Sequence, residues 1–120
     1  MDKWNEAFAK MAEKADELGI KGVMGIAEVA PDGKIQLQLL EHGKKYDGWG
    51  NFYSIACSKL MEMVRTGNPS GTLTPLAGEF EDFVGGTLSG NYYVTFSGAE
   101  GNQDLEVAEV GLNVLINDAM

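Results

Sequence analysis

A strand–loop–helix pattern near the end of the chain carries the residues that could do chemistry. An apolar run over residues 92–96 is followed by glycines at 98 and 101, and then by an amphipathic stretch over residues 103–117. Proteins hold phosphate groups with this layout, because the free amides at the start of a helix point toward the anion. Here no lysine follows residue 89, and Glu100 and Asp104 would repel an anion. The pattern therefore favours an ordinary capped helix start over a nucleotide site.

The same loop has a second interpretation that its charges do not exclude. Its backbone N–H groups can form one wall of a pocket, with Ser97 and Asn102 as the polar side chains. In the first interpretation, Asn102 or Asp104 is the residue that caps the helix. The sequence leaves both interpretations open.

Two single side chains are candidate ligands of a metal or of haem iron. His42 is the only histidine and lies in a polar segment, where it is either a haem ligand or a solvated loop residue. Cys57 is the only cysteine and lies among apolar residues of a predicted helix, which favours a small core residue over a reactive thiolate. A single cysteine excludes an intrachain disulfide and a cysteine-based zinc site.

An aromatic cluster marks the point where a glycine-rich loop enters the middle helix. Trp49, Phe52 and Tyr53 can stack on a flat ligand such as haem or flavin, or they can belong to the core or a subunit interface. No serine or cysteine triad can be assembled from the chain, and no pair of carboxylates is predicted to converge in a cleft. These residues supply no catalytic constellation.

Composition narrows the class of protein and its partners. The chain has 120 residues, which predicts a single domain over residues 1–120, and a net charge of −9. This acidity argues against nucleic acid and anionic membrane surfaces as partners. We expect a cytoplasmic protein, because the first residues do not form a signal peptide and no apolar run approaches the ~20 residues of a membrane helix.

Periodicity predicts an α+β fold. Apolar residues at helical spacing predict helices over residues 4–18, 51–66 and about 103–117, and Thr74-Pro75 predicts the start of a short one. Residues 23–29 and 35–39, the latter a half-buried alternating strand, form one hairpin, and residues 87–96 suggest a second. The order α-β-β-α-α-β-β-α implies an antiparallel sheet covered by helices. The middle helix has so little polar surface that the fold, a partner subunit or both must bury it.

Three segments carry a resemblance to a known family. They are YVTFSGAEGNQDLEVA (residues 93–108), SIACSK (residues 54–59) with the later Gly67-Asn68-Pro69 turn, and the first helix running into LGI (residues 18–20) and Asp32-Gly33. Together they resemble the small bacterial domain family of GlcG, the glycolate-operon protein, and HbpS, a haem-binding protein. The same domain occurs at the C-terminal end of some PduO-type corrinoid adenosyltransferases. The resemblance covers nearly the whole chain, and residues 93–108 are its distinctive part.

The resemblance implies a profilin-like fold, a homo-oligomer, and binding of haem or a related tetrapyrrole without catalysis. The pocket residues expected from it and from the aromatic cluster are Trp49, Tyr53, Ser97, Gly98, Gly101 and Asn102. His42 is the candidate haem ligand from its residue type alone, since no ligand position of the family matches it. The chain departs from the family in its aromatic strand before Ser97 and in a shorter segment after the middle helix. The alternative is an interaction module that assembles through the apolar middle helix and has no small-molecule ligand. An accessory enzyme of glycolate or corrinoid metabolism is a third hypothesis, and no catalytic constellation supports it.

Overall fold

The computed structural model describes residues 2–43, 49–70 and 84–117. Its elements are α1 (Asp2–Leu18), β1 (Gly22–Val29), β2 (Ile35–His42), α2 (Trp49–Thr66), β3 (Gly86–Ser89), β4 (Tyr92–Ser97) and α3 (Gly101–Asn117). The order α-β-β-α-β-β-α confirms the α+β class. The short helix predicted from Thr74 lies outside the described residues. Within those residues, no helix has both the length and the apolar character needed to cross a bilayer.

Both predicted hairpins are present, and they join into one antiparallel sheet of four strands. The strand order is β2-β1-β4-β3, so β1 and β4 are central. Ile26 of β1 lies opposite Gln38 of β2 on one side and Val94 of β4 on the other. The turn at residues 30–33 closes the first hairpin, with the Ala30 amide donating to the Lys34 carbonyl at 2.8 Å.

One face of the sheet packs against α1 and α3 and forms the larger core. Met24, Ile26, Val94 and Phe96 point to this face, and all are buried. The helices add buried side chains at helical spacing: Trp4, Ala7, Phe8, Met11 and Ala15 from α1, and Val107, Ala108, Leu112 and Leu115 from α3. Tyr92 packs on this core while Tyr93 packs on the other face, as strand alternation predicts.

The other face of the sheet is covered by α2, and this explains the apolar composition of the helix. Ala56, Leu60 and Met63 are fully buried there against Val23, Ala27 and neighbouring residues. Gly25 lets the helix lie close to the sheet, because a Cβ atom there would lie 3.1 Å from Leu60 Cδ1. Much of the apolar surface of α2 is therefore buried within the chain, and Met61 is its exposed large residue at 37%.

Strand β2 differs from the prediction in length and in burial. It continues to His42 instead of ending at Leu39. The prediction of a half-buried strand is wrong for its first half, since Ile35 is 45% exposed and Leu37 is 43% exposed. The physical reason is position: β2 is an edge strand, and α2 covers mainly the two central strands.

Gly111 sets the distance between α1 and α3, and substituting it tests that packing. A Cβ atom at this position would lie 2.5 Å from Met11 Sδ and 3.2 Å from Val94 Cγ1. We expect Gly111→Ala to lower the free energy of unfolding by about 1–2 kcal/mol, because overpacking outweighs the gain in helix propensity. Urea unfolding measures the change, with exposed Asn113→Ala as the control on the same helix. A more stable Gly111→Ala variant would contradict this.

Candidate functional site

A cleft lies between the first half of α2 and the segment that runs from the end of β4 into α3. Its volume is about 680 Å³, which is within the range of small-molecule sites. The described residues that line it are Phe52, Ile55 and Lys59 of α2, Val84, and Ser97, Gly98, Ala99, Glu100, Gly101, Gln103 and Asp104. The cleft therefore combines an apolar wall with a charged and polar floor.

The helical repeat of α2 and the alternation of β4 direct these side chains into the same cleft. Phe52, Ile55 and Lys59 are three and four residues apart, so they share one side of α2. Strand β4 alternates, so Ser97 faces α2 while Phe96 faces α1 and α3. The loop after Ser97 then turns back over the cleft before α3 begins at Gly101.

A buried ion pair forms the floor of the cleft. Lys59 Nζ lies 3.0 Å from Asp104 Oδ2, and it donates a second hydrogen bond of 2.6 Å to the Phe96 carbonyl. The two side chains are only 2% and 5% exposed. Asp104 Oδ1 accepts a further hydrogen bond of 3.0 Å from the Ala99 amide. Gly85 makes room for the pair, because a Cβ atom there would collide with Lys59 Nζ.

Burial and pairing act in opposite directions on these two groups. Burial lowers the pKa of Lys59, and the Asp104 carboxylate opposes that change. Burial raises the pKa of Asp104, and Lys59 together with the Ala99 and Gly98 amides opposes it. The pair links α2, β4 and α3, and each charge is the buried counterion of the other.

The loop amides are used by the chain itself. The Ala99 amide donates to Asp104, and the Glu100 amide donates to Gln103 Oε1 at 3.3 Å. Asp104 and Gln103 thus satisfy donors that a phosphate would need. A lysine does approach the loop, from α2, but Asp104 neutralises it and Glu100 adds a negative charge. The geometry favours the self-capped helix start over a phosphate cradle.

Of the six predicted pocket residues, three come together, two do not, and the side chain of one is not described. Ser97, Gly98 and Gly101 line the cleft. Asn102 is exposed in the first turn of α3 and is not among the lining residues. Tyr53 lies on the side of α2 that faces β2, where its hydroxyl donates to Glu41 Oε2 at 2.9 Å. Trp49 begins α2, and its side chain lies outside what the structure describes.

His42 lies on the opposite face of the sheet from the cleft. Its Nε2 is 2.8 Å from Asp16 Oδ1 of α1, so the imidazole is held against the first helix. Cys57 is half-buried and does not line the cleft. The described lining residues include no imidazole, thiol, thioether or phenol, and the described part of the chain has no group of three His, Cys, Asp or Glu residues that could hold a metal ion. A haem in this cleft would find no axial iron ligand among those lining residues.

Sequence reasoning missed Lys59 and its pairing with Asp104, which it named only as a charge and a candidate cap at the start of the helix, although the sequence carries a signal for the pair. Lys59 is three residues after Ala56 and four before Met63, so it lies on the apolar stripe of α2. Asp104 is three residues before Val107 and four before Ala108, so it lies on the buried stripe of α3. A charge on the buried stripe of a helix requires a partner. Two such residues of opposite charge, one on each helix, therefore indicate an ion pair between the helices.

Comparison of the chain with models of known protein families, with curated proteins and with solved structures finds no match.

Proposed function

We propose that the protein is a non-catalytic binder of a small molecule, of the GlcG/HbpS type with a profilin-like fold, and that the ligand occupies the cleft between α2 and the β4–α3 loop. The family resemblance suggests this class of function. The cleft supports it with a volume suited to a small organic ligand and a mixed apolar and polar lining.

The observation that carries the proposal is the buried ion pair at the floor of the cleft. Two charged side chains that are 2% and 5% exposed are expensive to desolvate, and well-packed apolar residues serve stability equally well or better. Ionisable groups with shifted pKa values in a cleft are typical of functional sites. We therefore interpret Lys59 and Asp104 as groups that position ligand contacts as well as the loop.

The chemistry of the lining indicates the class of ligand. An ammonium has three N–H donors, and the contacts to Phe96 and Asp104 use two of those of Lys59. The third suits a neutral acceptor such as a carbonyl oxygen of the ligand, because Asp104 and Glu100 already make this part of the cleft acidic. Phe52 and Ile55 offer an apolar wall to the rest of the molecule. The best candidate is thus a compact, partly apolar molecule with one hydrogen-bond acceptor.

Haem or a related tetrapyrrole is the ligand that the resemblance implies, and the proposal tests it beside this class, because haem is larger and carries two carboxylates. Its ring would lie against Phe52 and Ile55. Without an axial ligand among the described lining residues, we expect a haem complex held by packing and polar contacts. Such a complex would give a broad Soret band that His42→Ala and Cys57→Ala leave unchanged.

A variant that fills the cleft tests the proposal directly. Ile55→Trp puts an indole into the space between α2 and the loop, so we expect it to weaken ligand binding at least tenfold. The probes are haemin, followed by its Soret absorbance, and benzamide as a small aromatic amide, followed by ¹⁵N amide shifts of the labelled protein. We expect the largest shifts at Gly98, Ala99 and Gly101.

Ser54→Trp is the matched control, because Ser54 is next in the chain but exposed and outside the cleft lining. It should bind both probes as the unsubstituted protein does. The proposal fails if neither probe shifts an amide of the cleft, or if Ile55→Trp binds as tightly as Ser54→Trp.

A further inference from the structure

Among the residues that the structure describes, strand β2 forms a long and regular edge of the sheet. It pairs with β1 in unbroken register over eight residues, from Ile35 opposite Val29 to His42 opposite Gly22, without a bulge. The opposite edge is β3, which has only four residues. Proteins protect sheet edges by keeping them short, by bulges, by proline or by charged side chains, and the only charged residue of these kinds in β2 is Glu41 near its end.

The hydrogen-bond pattern shows which backbone groups of β2 point away from the sheet. Ala30 and Lys34 form a hydrogen-bonded pair at the turn, so the even-numbered residues that follow in β2 pair with β1. Val29 instead donates to Asn91, on the β4 side of β1, as this alternation requires. The N–H and C=O groups of residues 35, 37, 39 and 41 therefore point to the open edge.

The side chains of the same residues make this edge apolar on the α2 face. Ile35 is 45% exposed and Leu37 is 43% exposed, and Leu39 follows them, half-buried under α2. We propose that β2 pairs antiparallel with β2 of a second copy of this chain, about a two-fold axis at Leu37. The product is one continuous eight-stranded sheet across two subunits.

The position of the axis follows from side-chain complementarity. With the axis at Leu37, Leu37 meets its own copy, and Ile35 meets Leu39 of the second copy. All three apolar residues of each subunit then share one face. An axis at Gln38 would put Ile35 opposite Glu41, and an axis at Leu39 would put Leu37 opposite Glu41. Leu37 is the centre that pairs each of the three apolar residues with another apolar residue.

The charged residues at the two ends of the strand do not oppose one another in the same register. Asp32, in the turn before β2, lies opposite His42 of the second copy, Lys34 lies opposite Leu40, and Glu41 lies opposite Gly33. No two like charges face each other between residues 32 and 42, although the whole chain carries a net charge of −9. Self-pairing is therefore not opposed locally by the acidity of the protein.

This inference is independent of the proposed ligand site. The cleft opens on the side of α2 that carries Phe52, Ile55 and Lys59. The β2 edge lies beyond the other side, where Tyr53 contacts Glu41. Failure of ligand binding would leave the dimer untouched, and the reverse also holds.

Sedimentation velocity of the full chain across a concentration series tests the pairing. We expect the unsubstituted protein to sediment at twice the mass of the chain. Leu37→Lys and Leu37→Glu each put two like charges on the axis, so each should raise the dissociation constant about a hundredfold or more. Leu37 is already half-exposed, and circular dichroism should show both variants folded.

Mixing the two variants tests the axis itself. Lysine and glutamate then face each other, so an equimolar mixture should recover the mass of the dimer. Ser89→Lys, an exposed position on the short β3 edge, is the control and should stay dimeric. A monomeric unsubstituted protein, a mass that Leu37→Lys leaves unchanged, or a mixture that stays monomeric would each overturn the proposal.

Discussion

Replacing Asp104 by asparagine is expected to lower the free energy of unfolding by about 3–5 kcal/mol. The substitution keeps an oxygen for the Ala99 amide but removes the charge that faces Lys59 at 3.0 Å. The ammonium stays in a position that is 2% exposed, with only neutral acceptors around it. Most of the loss comes from this uncompensated buried charge and not from the deleted hydrogen bond.

Lys59→Met should have a loss of similar size, because it leaves the Asp104 carboxylate buried without its counterion. The double variant Lys59→Met/Asp104→Asn removes both charges and should lose less than about 2 kcal/mol. The two substitutions are therefore strongly non-additive. Urea unfolding followed by tryptophan fluorescence measures all three, since Trp4 is buried in the larger core.

The pH dependence of the single variant gives an independent check. Burial holds the pKa of Lys59 below its ordinary value of 10.5, and loss of the Asp104 carboxylate removes the two contributions that oppose this. Between the lowered pKa and 10.5, the unfolded chain binds more protons than the folded chain, so stability rises with pH. Asp104→Asn should regain stability between neutral pH and pH 10, relative to the double variant.

Glu106→Gln is the matched control on the same helix. Glu106 also forms an ion pair, with Lys14 at 3.0 Å, but the two side chains are 48% and 24% exposed. Its removal should have a small fraction of the effect of Asp104→Asn. Equal effects at the two positions, or a double variant as unstable as the sum of the singles, would contradict our account of the buried pair.

The elements that sequence predicts correctly are those set by local spacing. The stripe of Trp4, Phe8, Met11 and Ala15 predicts α1, and the turn at residues 30–33 predicts the first hairpin, because each pattern is complete within one segment. Exposure of β2 is not predictable in this way. It depends on where α2 lies over the sheet, which follows from packing between segments far apart in the chain.

At the site, too, local spacing predicts only the residues that lie in one continuous segment. Ser97, Gly98 and Gly101 were predicted from one continuous segment and do share the cleft. Asn102 does not, because α3 begins at Gly101 and not near Gln103, and an additional half-turn of helix directs Asn102 to solvent. His42 is held on the other face of the sheet, because β2 extends to it and strand alternation turns its side chain toward Asp16.

Gly98→Ala is the other substitution with a large expected effect, and it separates two roles of the loop. The resemblance predicts that Gly98 is a pocket residue. In the structure, Gly98 also lies where the end of β4 pairs with the start of β1. A Cβ atom there would collide with the Lys21 carbonyl oxygen and lie 2.7 Å from Gly22 Cα. Gly98 has φ +154°, which L-residues rarely adopt. We expect a loss of about 3–5 kcal/mol, the sum of backbone strain and overpacking.

Gly90→Ala supplies the comparison that isolates the collision. Gly90 also has a positive φ, +58°, but a Cβ atom there would meet nothing within 4 Å. It should lose only about 1–2 kcal/mol, the difference between alanine and glycine in the left-handed region. The difference between the two losses of unfolding free energy, measured by urea unfolding, then gives the contribution of the backbone contact between β1 and the loop. Equal losses at the two positions would mean that the loop can shift away from β1, and the wall of the cleft would then be adjustable instead of fixed by the fold.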